Sequence, residues 1–293
     1  VELDARDGNR SLAVALDVTA AGRRTYRVNG SVRRKLSGVT GNLPAVVFTP
    51  DDLRIVKDSA ERRRSTIDDL GVQLSPAYGV VRTEYERVVR QRNALLRQGD
   101  VGEEELAPWT ERLVASGVKL GMHRARLFGR VSEAMAKIYR ALAEEEVLSA
   151  TYVAAWAGEL NPATASAESL HKAMGEHLAA NESAERAKVM TLTGPHRDDV
   201  AIEISHRDAR AFASQGQQRT AALAWKLAEV QVTEGVTGAT PVLLLDDVMS
   251  ELDEKRRHAL MGFVSERVQT FISTTNLGYF EKKFTDAATV VRL

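Results

Sequence analysis

The sequence predicts an α/β fold: a mixed sheet with flanking helices, into which a mainly helical lobe is inserted. Three observations carry this. From Ala221 to Ala228 the chain is almost wholly apolar, as only a helix buried along its length can be. From Val242 to Leu245 it runs apolar without alternation, as expected of a parallel strand buried on both faces. Between about residues 60 and 148 it is charged and helical in pattern, separating the strands on either side.

A chain of 293 residues, 44% of them hydrophobic, has material for one large or two ordinary domains with a real core. Lys plus Arg equals Asp plus Glu at 40 each, so any nucleic-acid binding must come from local basic patches. The absence of cysteine excludes disulfides and thiolate metal sites, and the 6 histidines show no zinc-ligand spacing. No apolar run approaches the ~20 residues of a membrane span, and no signal-peptide pattern opens the chain. The expectation is a soluble, cytoplasmic protein without a membrane partner.

In chain order, Leu12, Val14, Leu16 and Val18 alternate, so residues 11–18 read as a half-buried strand that Ala20-Ala21-Gly22 turns back onto residues 25–28. Asn29-Gly30 is a second turn signal. Arg33-Arg34-Lys35 follows it, a trio that is either a solvated face or a set of DNA phosphate contacts. Residues 45–48 form a short apolar strand stopped by Thr49-Pro50, with Asp51 placed to cap what comes next. Tyr78, Val81, Tyr85, Val88 and Leu95 form a helical seam interrupted by Arg92. After a break around Gln98-Gly99-Asp100, a second stripe runs through Leu120, Leu127, Val131, Ala134, Ile138 and Leu142, and the two helices should pack antiparallel. At their base, Arg62-Arg63-Arg64 meets either DNA phosphate or the carboxylates of Asp68 and Asp69. Further strands are expected over 151–156, 200–204 and 270–275, the last of them buried, with helices over 165–180 and 254–267 and an edge strand at 289–293.

The chemistry-bearing stretch is Ser214-Gln215-Gly216-Gln217-Gln218-Arg219-Thr220. Ser214 and Gln217 have capping-box spacing, and the free N–H groups of the helix they open suit an anion, with Gly216 leaving the backbone accessible. The same box starts helices that bind nothing. The strand ending in Asp246-Asp247 places two carboxylates where open α/β sheets bind ligands. There Asp246 suits a magnesium ion and Asp247 a water, unless one of them caps the following helix.

In this order, the stretch from Ser214 to Thr220, Leu245-Asp246-Asp247 and Val248-Met249-Ser250-Glu251-Leu252-Asp253 resemble the signature motif, Walker B strand and D-loop of an ABC-type ATPase head. Their wording is similar to the RecF family in particular. Thr193-Gly194-Pro195-His196-Arg197-Asp198-Asp199 resembles that family's other fingerprint. Val47-Phe48-Thr49-Pro50-Asp51-Asp52-Leu53, Arg62-Arg63-Arg64 and Gln91-Arg92-Asn93 are similar to it as well, so the resemblance covers nearly the whole chain.

The resemblance implies an ABC-type head formed by residues 1–57 and 186–293, with a helical lobe at 58–185. It implies ATP and Mg2+ as cofactors, Asp246 serving the metal and Asp247 the attacking water. Ser214, Gln215, Gly216, Gln217, Gln218, Ser250 and Asp253 would face the nucleotide of a second subunit. Thr275 would hydrogen-bond where many such heads carry a histidine, and Arg197 would lie at an interface near the nucleotide. The loop at Thr49-Pro50-Asp51 stands where such heads sense the γ-phosphate. The implied activity is that of a slow, DNA-stimulated ATPase and ATP-dependent homodimer that binds double-stranded and gapped DNA, with Arg33, Arg34, Lys35 and Arg62 to Arg64 as phosphate contacts. The implied context is recombinational repair, replication and the SOS response, with RecO and RecR as partners in loading RecA. The chain contains no Gly-x-x-x-x-Gly-Lys-Ser/Thr element and no Gly-Lys dipeptide. The resemblance therefore implies a phosphate loop, with its strand and helix, upstream of Val1. A non-enzymatic DNA-binding scaffold is the competing expectation.

Overall fold

The computed structural model describes residues 2–7, 10–33, 43–99, 101–143, 146–265 and 268–292. Its first 33 residues form an antiparallel sheet of β1 (Glu2–Asp7), β2 (Arg10–Val18), β3 (Arg24–Val28) and β4 (Ser31–Arg33), in that order. Asn29 and Gly30 join β3 to β4 with φ of 47° and 76°, the positive values that a two-residue hairpin matching the strand twist requires. The Asn29 side chain also accepts the Ala13 amide at 2.8 Å, fixing the turn to β2. β1, in which Leu3 and Ala5 alternate with Glu2, Asp4 and Arg6, was not expected.

Beyond it, β5 (Ala45–Phe48) pairs in parallel with β9 (Val242–Asp246), which pairs in parallel with β10 (Thr270–Ser273). β9 is not buried on both faces. Leu243 and Leu245 are buried with Val46 and Phe48, whereas Leu244 stands in register between Val47 and Phe271, which are 45% and 54% exposed. β10 is accordingly a half-exposed edge strand, and residues 289–292 form no strand.

The covered face of this sheet packs on α6 (Gln215–Thr237), whose Ala221, Ala222, Leu223, Ala224 and Trp225 are wholly buried. Gly238, with φ of 71°, ends the helix in the left-handed conformation that glycine adopts without a Cβ penalty. α6 lies against the 41-residue α3 (Glu103–Ala143), with the Phe128 and Trp225 rings 5.3 Å apart.

α3 enters two cores. Phe128, Val131, Met135 and Tyr139 join the core beneath the parallel sheet. Leu113, Val118 and Leu120 join a second core with Tyr78, Tyr85 and Val88 of α2 (Pro76–Leu96) and Leu170 and Met174 of α4 (Ala167–Lys188). Arg92, which interrupts the seam, is buried there against Glu185 at 2.7 Å. α1 (Ala60–Leu74) is capped by Ser59 and runs into α2 through Ser75. A third sheet joins β6 (Leu148–Val153) to β7 (Asp199–Ile204) and β8 (Arg207–Asp208), all antiparallel. Trp156 therefore lies beyond its expected strand, in a 3-10 turn. After it come α5 (Ala209–Phe212), α7 (Glu254–Ser265) and the short α8 (Lys282–Ala287).

The segment Thr193 to Asp199 joins the two cores through buried polar contacts. Gly194 has φ of 124° and faces the Tyr85 hydroxyl, so a side chain fits neither its backbone nor its surroundings. Arg124 donates to both oxygens of Asp68 at 2.9 Å and to the Pro195 carbonyl at 2.6 Å. His196 donates from Nε2 to the Thr191 carbonyl at 3.0 Å, so its Nδ1 accepts the Tyr85 hydroxyl at 2.7 Å. Asp198 accepts the Tyr152 hydroxyl and, at 2.9 Å, the Trp156 indole N–H.

Burial pushes the His196 imidazole down to about 4, helped by Arg197, Arg64 and Arg124, and pushes the Asp198 carboxyl up to about 6 against the pull of Tyr152, Arg124, Trp156 and Arg64. Their effects on stability oppose each other. As pH falls from 6.5 to 4, unfolded His196 takes up a proton that the folded chain refuses, so stability drops. As pH rises from 3.8 to 6, unfolded Asp198 has lost a proton that the folded chain still holds, so stability also drops. Each slope amounts to about 3 kcal/mol. Relative to the unmodified chain, Asp198→Asn should gain stability steadily from pH 4 to 6 and His196→Gln should lose it over the same window. Urea midpoints at three pH values check this, and parallel curves for all three proteins would refute it.

Candidate nucleotide-binding site

α6 begins as its sequence requires. Ser214, in extended conformation, accepts the Gln217 amide on Oγ at 3.2 Å, while its own amide donates to Gln217 Oε1 at 2.8 Å. The box uses the Gln217 N–H, and the Gln218 N–H bonds the Ser214 carbonyl at 3.0 Å. The N–H groups of Gln215 and Gly216 have no partner within the helix and stand at its positive end. Gln218 does not join them. It is 8% exposed and its side chain donates to the Ala213 carbonyl at 2.6 Å, so its expected place at a ligand is corrected to a structural one.

Two arginines tie this turn to the segment after β9. Arg219 donates to the Glu251 carbonyl at 2.5 Å and its carboxylate at 3.0 Å. Arg256 donates to the Gly216 carbonyl at 2.8 Å and the Thr220 hydroxyl at 2.7 Å, and forms an ion pair with Asp253. A cavity of about 400 Å³ opens beside the turn, lined among others by Ser214, Gly216, Gln217, Lys255, Arg256 and Glu146. Glu146 accepts the Gln217 side-chain N–H at 2.7 Å and the Tyr139 hydroxyl at 2.6 Å. Arg256 and Glu146 were not foreseen, because neither lies in a motif.

At the end of β9, the Ser273 hydroxyl donates to Asp246 Oδ1 at 2.6 Å and accepts the Asp247 amide at 3.1 Å. Asp247 sits in the left-handed region with φ of 48°, and its Oδ1 is buried with no hydrogen-bond partner. Neither residue caps the next helix. Asp253 does, accepting the Arg256 amide at 2.9 Å. Ser250 donates to the Asp247 carbonyl at 2.9 Å. Thr275 is exposed beyond the strand, and it is Ser273 that bonds the Asp246 carboxylate and the Asp247 amide. Among the described residues no three His, Asp or Glu side chains gather as a metal cluster.

Thr49 and Asp52, not Asp51, form the cap after β5, with the Thr49 amide donating to Asp52 at 2.9 Å. Of the basic residues, Arg33 is exposed on β4 opposite Tyr26, and Arg34 and Lys35 lie outside the described residues. Arg63 is 2% exposed and is corrected from a DNA contact to a core residue: it holds Asp199 at 2.7 and 3.0 Å and the carbonyls of Ile55 and Asp58. Arg62 pairs with Asp52 at 3.0 Å and Arg64 donates to the Asp198 carbonyl at 2.6 Å, so neither pairs with Asp68 or Asp69. Arg197 is exposed at the edge of its turn, 3.5 Å from the Thr191 carbonyl.

No protein-family model matches the chain. The DNA replication and repair protein RecF of Symbiobacterium thermophilum is 42% identical over 256 residues, covering 87% of this chain and 68% of that protein. The protein of the same name from Synechococcus sp. (strain JA-3-3Ab) is 38% identical over 288 residues, covering 96% and 74%. Among solved structures, the recombination mediator protein RecF-ATPrS in the RecFOR pathway superposes with a TM-score of 0.82 at 28% identity, over 94% of this chain and 73% of that one.

The cap at Ser214 yields a direct test of the site's construction. Ser214→Ala should cost about 1 kcal/mol of stability, and Ser214→Asp should restore most of it. Denaturation midpoints decide, and an alanine variant as stable as the parent would show that the turn is held by packing alone.

Proposed function

The chain belongs to the RecF family of DNA replication and repair proteins, and on that footing we propose that it is an ATP-dependent DNA-binding protein whose signature turn closes on a nucleotide held by a second subunit. In this reading, residues 1–57 and 186–293 form the ATPase head and residues 58–185 the helical lobe. ATP joins two heads into a dimer that binds double-stranded and gapped DNA mainly through phosphates, and the dimer acts with RecO and RecR in loading RecA.

The observation that carries the reading is the turn at Ser214. Its first two N–H groups have no acceptor within a 23-residue helix that is buried from Thr220 to Val230, and Arg219 and Arg256 tether it to the D-loop beside Asp246 and Asp247. The γ-phosphate would accept from the Gln215 and Gly216 amides and the Ser214 hydroxyl, filling donors that the helix leaves empty. Because the same groups bind one nucleotide across two copies, its hydrolysis releases them together.

Asp246, exposed at the strand end, fits a hard cation, and Asp247, whose Oδ1 has no hydrogen-bond partner, leaves an acceptor for a water. With no third carboxylate or histidine gathered there among the described residues, the remaining ligands would be phosphate oxygens and water. Magnesium, when bound, supplies positive charge to the phosphate oxygens as the bond to the γ-phosphate breaks. Asp247 orients the attacking water and accepts its proton, held by the Ser273 and Ser250 bonds to its own backbone.

Sedimentation with and without magnesium-ATP, on this chain and on a version extended by a family-type phosphate-loop segment, tests the proposal. Only the extended version should dimerise on ATP. In it, Asp247→Asn should keep the ATP-driven dimer while turnover falls by about a hundredfold or more. Unchanged turnover would remove Asp247 from its role. DNA binding without any response to ATP in either version would establish the scaffold alternative instead.

A further inference from the structure

A carboxylate beside an anion-binding helix end opposes the anion, so the presence of Glu146 in the cavity at the signature turn needs a reason other than ligand attraction. Its hydrogen bonds supply one. A glutamine amide offers two donors at one end and an acceptor at the other, and the two ends are similar enough in shape for either to face a given neighbour. In the capping box Gln217 must present its oxygen to the Ser214 amide, which it does at 2.8 Å. A rotated amide would set N–H against N–H. Glu146 accepts the Gln217 Nε2–H at 2.7 Å, and a carboxylate, being an acceptor only, admits no other orientation. Its other oxygen is occupied by the hydroxyl of Tyr139, a wholly buried side chain near the end of α3, at 2.6 Å.

We propose that Glu146, held by Tyr139, is a positioning residue for the nucleotide site: it fixes the Gln217 amide so that the box at Ser214 stays closed and the Gln215 and Gly216 N–H groups stay aimed at the ligand. The proposal rests on the nucleotide reading for its consequence but not for its geometry. It ties the end of α3 to the signature turn by side chains alone.

The variants separate positioning from packing and from electrostatics. Glu146→Gln keeps an acceptor for Gln217 and, with Tyr139 turned to accept, both bonds. Glu146→Ala removes them, and Glu146→Lys supplies a donor that favours the rotated amide. In the chain as it stands, amide exchange at Ser214 should accelerate about tenfold in Glu146→Ala, more in Glu146→Lys and little in Glu146→Gln, with amides of Leu223 to Val230 unchanged. Tyr139→Phe should shift Ser214 in the same direction by less. In the version carrying a phosphate loop, Glu146→Ala should raise the ATP concentration for half-maximal dimerisation about tenfold, the loss appearing there and not in turnover at saturating ATP. Exchange that is unchanged at Ser214, or equally fast along all of α6, overturns the proposal. So does a lowered half-maximal ATP concentration, which would make Glu146 a mere opposing charge. If the unmodified extended version does not respond to ATP, the functional reading fails, while the exchange data still decide the role of Glu146.

Discussion

The structure depends on one constraint: a helix that exposes unpaired N–H groups at its tip must be immobile along the rest of its length. α6 meets it by burying nearly every side chain from Thr220 to Val230, against α3 on one side and the parallel sheet on another. The small residues Ala221, Ala222, Ala224 and Ala228 let neighbouring backbones approach closely, and Leu223, Trp225 and Leu227 fill the space between them. With the shaft so held, the tip has little freedom left except at its first turn, and that turn is where Ser214, Gln217 and Arg256 make their bonds.

Charge inside this core serves the same end. Lys226 and Glu229, on the buried side of α6, pair at 2.9 Å, and Lys226 lies 3.9 Å from Asp52, which also receives Arg62. Burial raises the Glu229 carboxyl despite Lys226 beside it. Buried pairs of this kind contribute little net stability against well-packed apolar residues, since desolvation offsets their attraction. What they do is join the loop after β5, the start of α1 and the middle of α6 through one connected set of charges.

The sequence disclosed the parts of the fold that are written locally. The box at Ser214, the Asn29-Gly30 hairpin, the strand before Asp246 and the two helical stripes each lie within a few residues and leave a spacing to read. What it did not disclose is pairing between distant segments. Arg63 sits in a basic trio that looks like a phosphate contact, yet its partner Asp199 is 136 residues away. Glu146 and Ser273 likewise act on residues of other elements and belong to no pattern. The exposure of Val47 and Phe271 on either side of Leu244 was missed for a related reason: an apolar run shows that a strand is compatible with burial, not which neighbours cover it.

The placement of α3 then acquires a mechanical meaning. Arg124, which grips Asp68 and the Pro195 carbonyl, and Tyr139, which holds Glu146, lie on this one helix, about 22 Å apart at the rise of an α-helix. The middle of α3 is locked to the segment of Gly194 and His196 beside the second core, and its C-terminal end reaches the signature turn through Tyr139 and Glu146. Between the two, Phe128 packs on Trp225 of α6, so the helix that reaches the second core at Arg124 also braces the shaft of α6 and, through Tyr139 and Glu146, the Gln217 side chain. Both the shaft of α6 and the first turn of the site therefore rest on α3, the shaft through packing and the turn through two hydrogen bonds.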